Sequence, residues 1–402
     1  MYFAKPYPVN TTTIPRLMAG LLIAGAAASL PAPARAQRSP QREPAACRSC
    51  HQAIVDSYEK TAHLHTSAEP TAGTILGQFS PGHNVLRTRV PGVYFVMQRR
   101  ADGFYETSVD SARHDRRSAR IGLVVGSGRR GQTYLYWSNG QLFEMPVSYL
   151  TPAHAWINSP GYQDGQIDWA RPIIPRCLEC HSTSFTLVDR GGRPEYLRSY
   201  VLGISCAKCH GDGRAHVKYH TAHPGDSTGQ DIVNPARLVR ERQLDNCALC
   251  HSGDRPRRGP AFAYQVGEPL DSYLLPSGGG DLVPDVHGNQ VGLLERSKCF
   301  RASPTLTCST CHDVHQTQRD VVWFAGKCVG CHDTSHHPEA RRIGTRLVPD
   351  CIACHMPNRA SHALQFNARA RQVPLDFRSH EIGIYRDVTE AVLRGGAGGG
   401  PR

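Results

Sequence analysis

Residues 205–216 read Ser-Cys-Ala-Lys-Cys-His-Gly-Asp-Gly-Arg-Ala-His, and the Cys-x-x-Cys-His pentapeptide at the start of this stretch recurs along the chain. The 402 residues contain 15 Cys and 21 His, a composition that predicts about 0.03 such pentapeptides by chance. Seven occur, which makes the repeat the feature that organises the protein. In chain order the motifs are Cys47/Cys50/His51, Cys177/Cys180/His181, Cys206/Cys209/His210, Cys247/Cys250/His251, Cys308/Cys311/His312, Cys328/Cys331/His332 and Cys351/Cys354/His355.

Two thiols three positions apart, followed at once by a histidine, are the arrangement that attaches haem covalently. Each thiol forms a thioether to one haem vinyl group, and the histidine ligates the iron from the proximal side. Zinc sites need such motifs in pairs and leave the adjacent histidines unexplained, and a disulfide framework does not require those histidines. The sequence therefore predicts seven covalently bound c-type haems, each holding an iron.

The first 36 residues have the pattern of a secretory signal. Lys5 and Arg16 precede an apolar run from Leu17 to Leu30, and Ala34-Arg35-Ala36 resembles a signal-peptidase site. The run is too short to span a bilayer comfortably, so a cleaved signal is favoured over an uncleaved anchor. We expect an exported protein that begins near Gln37 and resides in the periplasm, with an extracellular location as the alternative.

The composition and charge exclude several classes of protein. With 40% hydrophobic and 20% charged residues the chain is no disordered polyelectrolyte, and the lack of a second long apolar run argues against a multi-span membrane protein. The formal charge of +12 falls to +9 without the three basic residues of positions 1–36. Each ferric haem adds about −1, because two propionates outweigh the charge of the iron porphyrin. The basic apoprotein therefore does not imply a nucleic-acid partner.

Motif spacing divides the chain into five predicted segments. They are a signal peptide at 1–36, a first haem segment at 37–80, a β meander at 81–150, a six-haem domain at 151–362 and a tail at 363–402 with a disordered end. Short helices and Pro/Gly-rich loops separate the later motifs, and Gly278 to Gly280 and Gly395 to Gly400 are expected to be flexible. The predicted fold class is mainly α with much irregular loop, with haem filling the interior that the chain cannot fill.

Five short apolar or alternating runs predict the antiparallel meander. Asp102-Gly103 and Asn139-Gly140, which separate neighbouring runs, are typical hairpin turns. Gly126-x-Gly128, followed by two arginines, is likewise interpreted as a turn between strands and not as a phosphate loop. The predicted strands are Val93 to Gln98, Phe104 to Val109, Gly122 to Val125, Thr133 to Trp137 and Leu142 to Tyr149.

The histidines outside the motifs supply candidates for the distal iron ligands. Fourteen remain, against only three methionines in the mature chain, so six-coordinate irons should be mostly bis-His and of low potential. The favoured candidates are His65, His216, His287, His315 and either His336 or His337. Ranked next are His154, His220 and His362. A surface or hydrogen-bonding role is expected for His83, His114, His223 and His380.

One cysteine lies outside the seven motifs. Cys299 is interpreted as a small buried thiol. The alternative, a thiolate that ligates an iron or binds a sulfur substrate, is compatible with Lys298 and Arg301 beside it.

Several segments together resemble a known family. Cys177-Leu-Glu-Cys-His181, Ser205 to His216, Cys247 to Gly253, Ser297 to Arg301, Leu306 to His315 and Cys351 to Pro357 resemble multihaem c-type cytochromes. In particular they resemble the cytochrome c-554-like family, the tetrahaem partner of hydroxylamine oxidoreductase. The resemblance implies a mainly helical packet of stacked, mostly bis-His haems, with His216 and His315 as distal ligands. Seven motifs replace the family's four, and the meander is additional, which leaves the physiological partner open.

The leading functional hypothesis is a periplasmic electron carrier that passes single electrons between redox proteins, with a membrane quinol-oxidising module as one candidate donor. The alternative is a multihaem oxidoreductase that acts on a small nitrogen or sulfur compound at one open-site haem. No motif replaces its histidine by lysine, the variant found in pentahaem nitrite reductases, and no catalytic residue is predicted. The oligomeric state stays open.

Overall fold

Two antiparallel sheets built from residues 67–158 enclose the largest side-chain core of the computed structural model, which describes residues 43–276, 284–368 and 371–395. The predicted signal peptide, the Gly278–Gly280 segment and the glycines after Gly395 lie outside these residues. Within them, no helix is both long enough and apolar enough to cross a membrane.

The strands form four antiparallel sheets in the described part of the chain. The larger two have the orders β1-β6-β7-β8-β9 and β2-β3-β4-β5, and β10-β11 and β12-β13 are separate hairpins. The strands are β1 (Ser67–Ala68), β2 (Val85–Arg87), β3 (Val93–Arg100), β4 (Gly103–Asp110), β5 (Asp115–Arg120), β6 (Leu123–Val125), β7 (Gly131–Ser138), β8 (Gln141–Leu150), β9 (Ala155–Asn158), β10 (Ser182–Asp189), β11 (Pro194–Leu202), β12 (Asn358–Ala368) and β13 (Arg371–Arg378).

Strand alternation builds the core between the two large sheets. Phe95 and Met97 of β3 point inward from one sheet, and Tyr134 and Met145 point inward from the other; all four are fully buried. Each predicted run of the meander lies within one of the observed strands or overlaps it. The Asn139-Gly140 turn has positive φ at both residues, 47° and 73°, the conformation that an Asn-Gly hairpin turn requires.

Short helices separated by turns and loops occur at the first motif and throughout the region of the later motifs. They are α1 (Glu43–Tyr58), α2 (Pro175–His181), α3 (Cys206–His210), α4 (Arg214–Ala222), α5 (Arg240–His251), α6 (Gln290–Glu295), α7 (Lys298–Ala302), α8 (Val321–Cys328), α9 (Ala340–Ile343), α10 (Cys351–His355) and α11 (Arg386–Gly395). Most span one to three turns, so tertiary contacts and not helix propensity must hold them.

The expectation of a mainly α fold is wrong. About 29% of the structure is helical and about 27% is strand. The two hairpins at 182–202 and 358–378, each beginning just after a motif helix, account for much of the difference. β12 carries mostly polar residues and buries few side chains, among them Ser361 and Phe366, so its sequence lacks the alternation that signals a strand.

The second hairpin also ties the region of the motifs to the five-stranded sheet. Phe366 and Leu375 pack against Leu150 and Ile157. The Asn158 side-chain amide donates to the carbonyl of Asn367 at 2.7 Å. Residues assigned from sequence to the C-terminal tail thus include most of this hairpin and α11.

Candidate haem sites

Helix geometry presents the two thiols of a motif to one side. Residues three apart lie on the same face of a helix, and α2, α3, α5 and α10 each end at the histidine of their motif. The backbone of His51 leaves helical geometry within α1 (φ −114°, ψ 36°). The fifth motif lies on a 3₁₀ turn that begins at Cys308, and the sixth begins at the last residue of α8. In most motifs the histidine thus lies at the point where a helical segment ends or kinks.

The thiols themselves are chemically available. None of the cysteines in the described residues forms a disulfide. Burial raises the pKa of the Cys354 and Cys209 thiols, so both are protonated at neutral pH in the chain without haem. Thiols of one motif also approach the backbone of another: the Cys180 thiol donates to the Leu249 carbonyl at 4.0 Å, and the Cys250 thiol donates to the Glu179 carbonyl at 3.8 Å.

Three motif cysteines are more exposed than the others. Cys50, Cys177 and Cys331 are exposed, whereas the other motif cysteines are at least partly covered. At Cys50 and Cys331 the motif histidine that follows is exposed as well. The sequence pattern treats all seven motifs alike, because it is local and carries no information about which segments the fold packs over a motif.

Exposure does not remove the chemistry of these thiols. An accessible thiol can form a thioether as readily as a covered one, so haem attachment at Cys50 and Cys331 stays a prediction. Exposure of these cysteines changes only how near the protein surface the haem would lie. Haem at the first and sixth motifs would lie nearer the surface of the described chain than haem at the fourth, where Cys247 and Cys250 are both partly covered.

Helices that carry motifs pack against one another in pairs. α1 packs on α3, α2 on α5 and α8 on α10. One of these contacts is fixed by a buried charge: the Arg176 guanidinium of α2 donates to the carbonyl of Leu249 in α5 at 2.7 Å. Arg176 also lies 3.6 Å from the Glu179 carboxylate, so it is paired although it is buried. The second and fourth motifs are therefore held side by side.

Five of the seven motif histidines face a second histidine from elsewhere in the chain. An iron held between two imidazole nitrogens, at about 2 Å from each, places the ring centroids about 6 Å apart. The centroid separations are 6.3 Å for His51–His216, 6.3 Å for His63–His251, 6.1 Å for His210–His315, 6.0 Å for His312–His380 and 6.1 Å for His337–His355.

Hydrogen bonds at Nδ1 orient several of these rings. His210 Nδ1 lies 2.8 Å from the Val233 carbonyl, and His355 Nδ1 lies 2.8 Å from the Gly383 carbonyl. His216 makes the same contact with the Gln230 carbonyl at 2.7 Å. A ring that donates from Nδ1 keeps the lone pair on Nε2, the atom that would bind a metal.

His380 is also oriented through Nδ1, and its ring is neutral. Its Nδ1 lies 2.6 Å from the side-chain oxygen of Gln290. Burial, with His312 opposite, lowers the pKa of His380 to about 4, which keeps the imidazole neutral at neutral pH. The ring is thus in the protonation state that ligates iron.

Three of the histidines predicted from the sequence as distal ligands belong to these pairs, and the others do not. His216, His315 and His337 each face a motif histidine. His287 lies close enough to His181 to lower its pKa, although burial is the larger cause. His65 instead directs Nε2 to the Glu59 carbonyl at 2.7 Å and lines a basic groove.

The remaining candidates, which are His336 as the alternative to His337 and the three ranked next, lie elsewhere. His336 is exposed, and His154 is exposed with a left-handed backbone. His220 lies against His216, with ring centroids 4.4 Å apart. His362 is exposed, and its backbone N–H donates to Asp285.

Two histidines that face motif rings were not among the favoured candidates. His63 had no assigned role, and His380 was expected to have a surface or hydrogen-bonding role. Each faces a motif histidine that is remote in sequence, so local spacing carried no signal. The unassigned thiol Cys299 lies near Cys311 and Cys328, beside the fifth and sixth motifs.

Taken together, the residues fit covalently bound haem. Pairs of thiols on one helix face, histidines oriented through Nδ1 and opposed rings about 6 Å apart are the donor set that such a group requires.

Comparisons with known proteins agree with this chemistry. A family model described as cytochrome c554 and c-prime matches residues 159–211, which contain the second and third motifs. Among solved structures, the chain is similar in fold to the outer cell wall cytochrome OcwA, with 15% identity and a TM-score of 0.54 over 86% of this chain and 80% of that one. It also matches an undecahaem cytochrome from the S-layer of Carboxydothermus ferrireducens, with 15% identity and a TM-score of 0.41 over 85% and 51% of the two chains. No curated protein matches.

The seven Cys-x-x-Cys-His motifs, together with the family model, indicate a protein that binds c-type haem covalently. More particularly, residues 159–211 are similar to cytochrome c554 and c-prime, and the chain as a whole is similar in fold to an outer cell wall cytochrome.

Proposed function

We propose that the chain binds seven c-type haems, one at each Cys-x-x-Cys-His motif, and carries electrons between redox proteins. All seven motifs have the same residues at the three positions that matter, the two thiols and the following histidine. Bound haem supplies a one-electron iron couple whose potential depends on its axial ligands, burial and nearby charge. The chain's own task is to hold, orient and space these groups.

The observation that carries the proposal is the set of five opposed histidine pairs. Each pair joins a motif histidine to a partner from a different segment of the chain, at a separation that suits bis-His ligation. The proximity of His287 to His181 supports a sixth pair at the second motif. Ligation by two neutral imidazoles favours lower potentials than ligation by histidine and methionine.

Packing between motifs supports transfer from one site to the next. The paired helices α1 and α3, α2 and α5, and α8 and α10 bring six motifs together two by two. Hydrogen bonds from the Cys180 thiol to the Leu249 carbonyl and from the Cys250 thiol to the Glu179 carbonyl connect the second and fourth motifs. Residues that exchange protons are not required for this function.

We further propose that the protein works outside the cytoplasm, in the periplasm or at the cell surface. The signal-like pattern of residues 1–36 and the similarity in fold to an outer cell wall cytochrome support export. The proposed partners are redox proteins, with a membrane quinol-oxidising module among the candidate donors.

Two measurements on the purified protein test the proposal. Intact-mass analysis after acid-acetone treatment should find seven haem adducts on the polypeptide, because thioether bonds survive that treatment. Electron paramagnetic resonance of the oxidised protein should show low-spin iron at five or more sites. Fewer than seven adducts would contradict the haem count, and predominantly high-spin iron would contradict bis-His ligation.

One observation favours a second candidate function at the sixth motif. His332 is exposed, and within the described residues no histidine ring lies opposite it at the separation of the five pairs. An iron bound there with an open distal side could bind a small nitrogen or sulfur compound. Cyanide titration should then detect one high-spin site that converts to low spin, and a fully low-spin protein would exclude this function.

A further inference from the structure

A groove beside strands β5 and β7 combines positive charge with aromatic side chains. It has a volume of about 480 Å³ and is lined by β5 and the two residues after it, by the end of β7 and by one residue of β11. Among the residues that line it are Arg117, Arg120, Trp137 and Arg198. A volume of this size suits a small organic molecule better than a single inorganic ion.

The charges of the groove are unbalanced. Within the described residues, none of the three guanidinium groups of Arg117, Arg120 and Arg198 lies within 4.0 Å of a carboxylate. The only carboxylate that lines the groove, Glu69, accepts a hydrogen bond from the Tyr200 hydroxyl at 2.6 Å. Three unpaired guanidinium groups favour a ligand with more than one oxyanion, because each guanidinium can donate a fork of two hydrogen bonds.

The aromatic side chains supply a flat surface and a free donor. Arg198 lies over the Trp137 ring, with its guanidinium carbon 3.8 Å from the ring centroid, and Arg117 donates to the Tyr136 hydroxyl at 3.0 Å. The indole N–H of Trp137 is buried and has no acceptor within the described residues. Gly122 lies against that edge of the indole, since a Cβ there would be 2.9 Å from Nε1.

An unpartnered buried N–H is costly, and an acceptor supplied by a ligand would remove that cost. Gly122 lines the groove beside this donor and packs closely against the indole edge, where a Cβ would be 2.4 Å from Cδ1. Charge, flat surface and donor thus point to one kind of ligand.

We propose that this groove binds a planar aromatic acid that carries two or more oxyanion groups. Arg117, Arg120 and Arg198 bind the oxyanions, and Trp137 offers its N–H to one of the oxygens. The inference rests on the groove alone and does not depend on the number of haems.

The position of the groove gives the binding a consequence for the proposed electron transfer. Trp137 belongs to a cluster with Tyr200, Phe185 and Leu178, and Leu178 lies between Cys177 and Cys180 of the second motif. The Phe185 and Tyr200 ring centroids are 4.9 Å apart. A redox-active aromatic acid would therefore bind on the same cluster that supports the second haem. This part alone rests on the proposed function.

Calorimetric titration of the purified holoprotein with naphthalene-1,5-disulfonate tests the proposal. We expect saturable binding at one site, with an affinity that falls as salt is added, because the cations are partly exposed. Arg198→Gln and Arg120→Gln should each raise the Kd about tenfold, the usual effect of losing one charge-assisted hydrogen bond. Arg116→Gln is the matched control: it removes the same charge from β5 at a residue outside the groove, and it should leave the Kd unchanged.

Two further ligands test whether negative charge alone, or an aromatic ring alone, is enough for binding. Sodium sulfate, with charge but no ring, and 2-naphthalenemethanol, with a ring but no charge, should each compete poorly with the disulfonate. Trp137→Phe keeps the ring and removes the N–H, and we expect it to weaken binding several-fold while far-UV circular dichroism stays unchanged. The proposal is wrong if the disulfonate does not bind, if sulfate competes equally, or if Arg198→Gln and Arg116→Gln have equal effects.

Discussion

The β region at residues 67–158 and the motif region at residues 177–355 differ in how they are stabilised. In the first, Phe95, Met97 and Tyr134 are fully buried between two sheets. In the second, α3, α4 and α9 bury no residue completely, and large apolar side chains such as Val239 are exposed. One region thus has an extensive side-chain core, whereas the other has a smaller one around Leu249, Leu270 and Leu274 and several helices outside it that bury little.

The comparison explains how a single chain can contain both a sheet core and a region of short helices. A sheet core can form from the alternating side chains of β3, β4, β7 and β8 alone. Helices of five residues, such as α3 and α10, are not stable by themselves. Covalent haem would supply apolar surface and fix two side chains and one ligand of each such helix, a stabilisation comparable to that of structural metals.

Producing the full chain without haem attachment should give the largest effect. We expect hydrogen exchange to show protection retained in β3, β4, β7 and β8, and exchange close to that of an unfolded chain throughout residues 206–355. Holoprotein measured under the same conditions is the control and should be protected in both regions. Equal protection of the two regions in the haem-free chain would refute the comparison.

Phe95→Ala should destabilise the β region strongly. Removing a fully buried phenylalanine from a packed core costs about 3–5 kcal/mol. Val239→Ala, at a side chain that is 64% exposed in the motif region, should change stability by less than about 0.5 kcal/mol. Urea denaturation followed by circular dichroism measures both, and a similar loss for the two variants would count against the distinction.

Stability of the β region should also depend on pH through Glu144. Burial raises the pKa of this carboxyl to about 7 from an ordinary 4.5, although Arg171 lies 3.0 Å away. The fully buried Glu106 nearby has its own pKa raised, in part by Glu144. Between pH 4.5 and about 7 the folded state therefore keeps a proton that the unfolded chain has lost.

The sign of the change in stability with pH follows from this difference in bound protons. The contribution of Glu144 is fully present below pH 4.5 and falls by about 3 kcal/mol as the pH rises through about 7. Glu144→Gln cannot ionise, so its stability relative to the unmodified chain should rise by that amount between pH 4.5 and 8. Urea titrations at these two pH values measure the difference. Parallel pH profiles for the two proteins would show that burial does not hold the proton.

The two regions also differ in how far the sequence predicts them. In the β region, alternation and the Asn139-Gly140 turn locate the strands, because a strand's signal is local. In the motif region, the pentapeptides predict haem cysteines and proximal histidines from equally local sequence. They do not identify His63 or His380, because these residues meet His251 and His312 only through the fold. The hairpin of β12 and β13 was missed for a related reason, since few of its side chains are buried.

His63 and His65 offer the sharpest test of this limit. The sequence favours His65, whereas the structure places the His63 ring 6.3 Å from His251 and directs His65 Nε2 to a backbone carbonyl. If bis-His ligation at the fourth motif is correct, His63→Ala should convert about one haem in seven from low to high spin. His65→Ala, two residues away, is the matched control and should leave the spin state unchanged.

Electron paramagnetic resonance of the oxidised proteins distinguishes the two variants, with haem content measured to show that both remain fully loaded. This is the smallest of the expected effects, because one iron changes while the fold is kept. A high-spin signal in His65→Ala and none in His63→Ala would mean that local spacing, and not the long-range pairing of segments, selects the ligand. The distal histidines of the motif region would then have to be assigned from sequence, as the strands of the β region were.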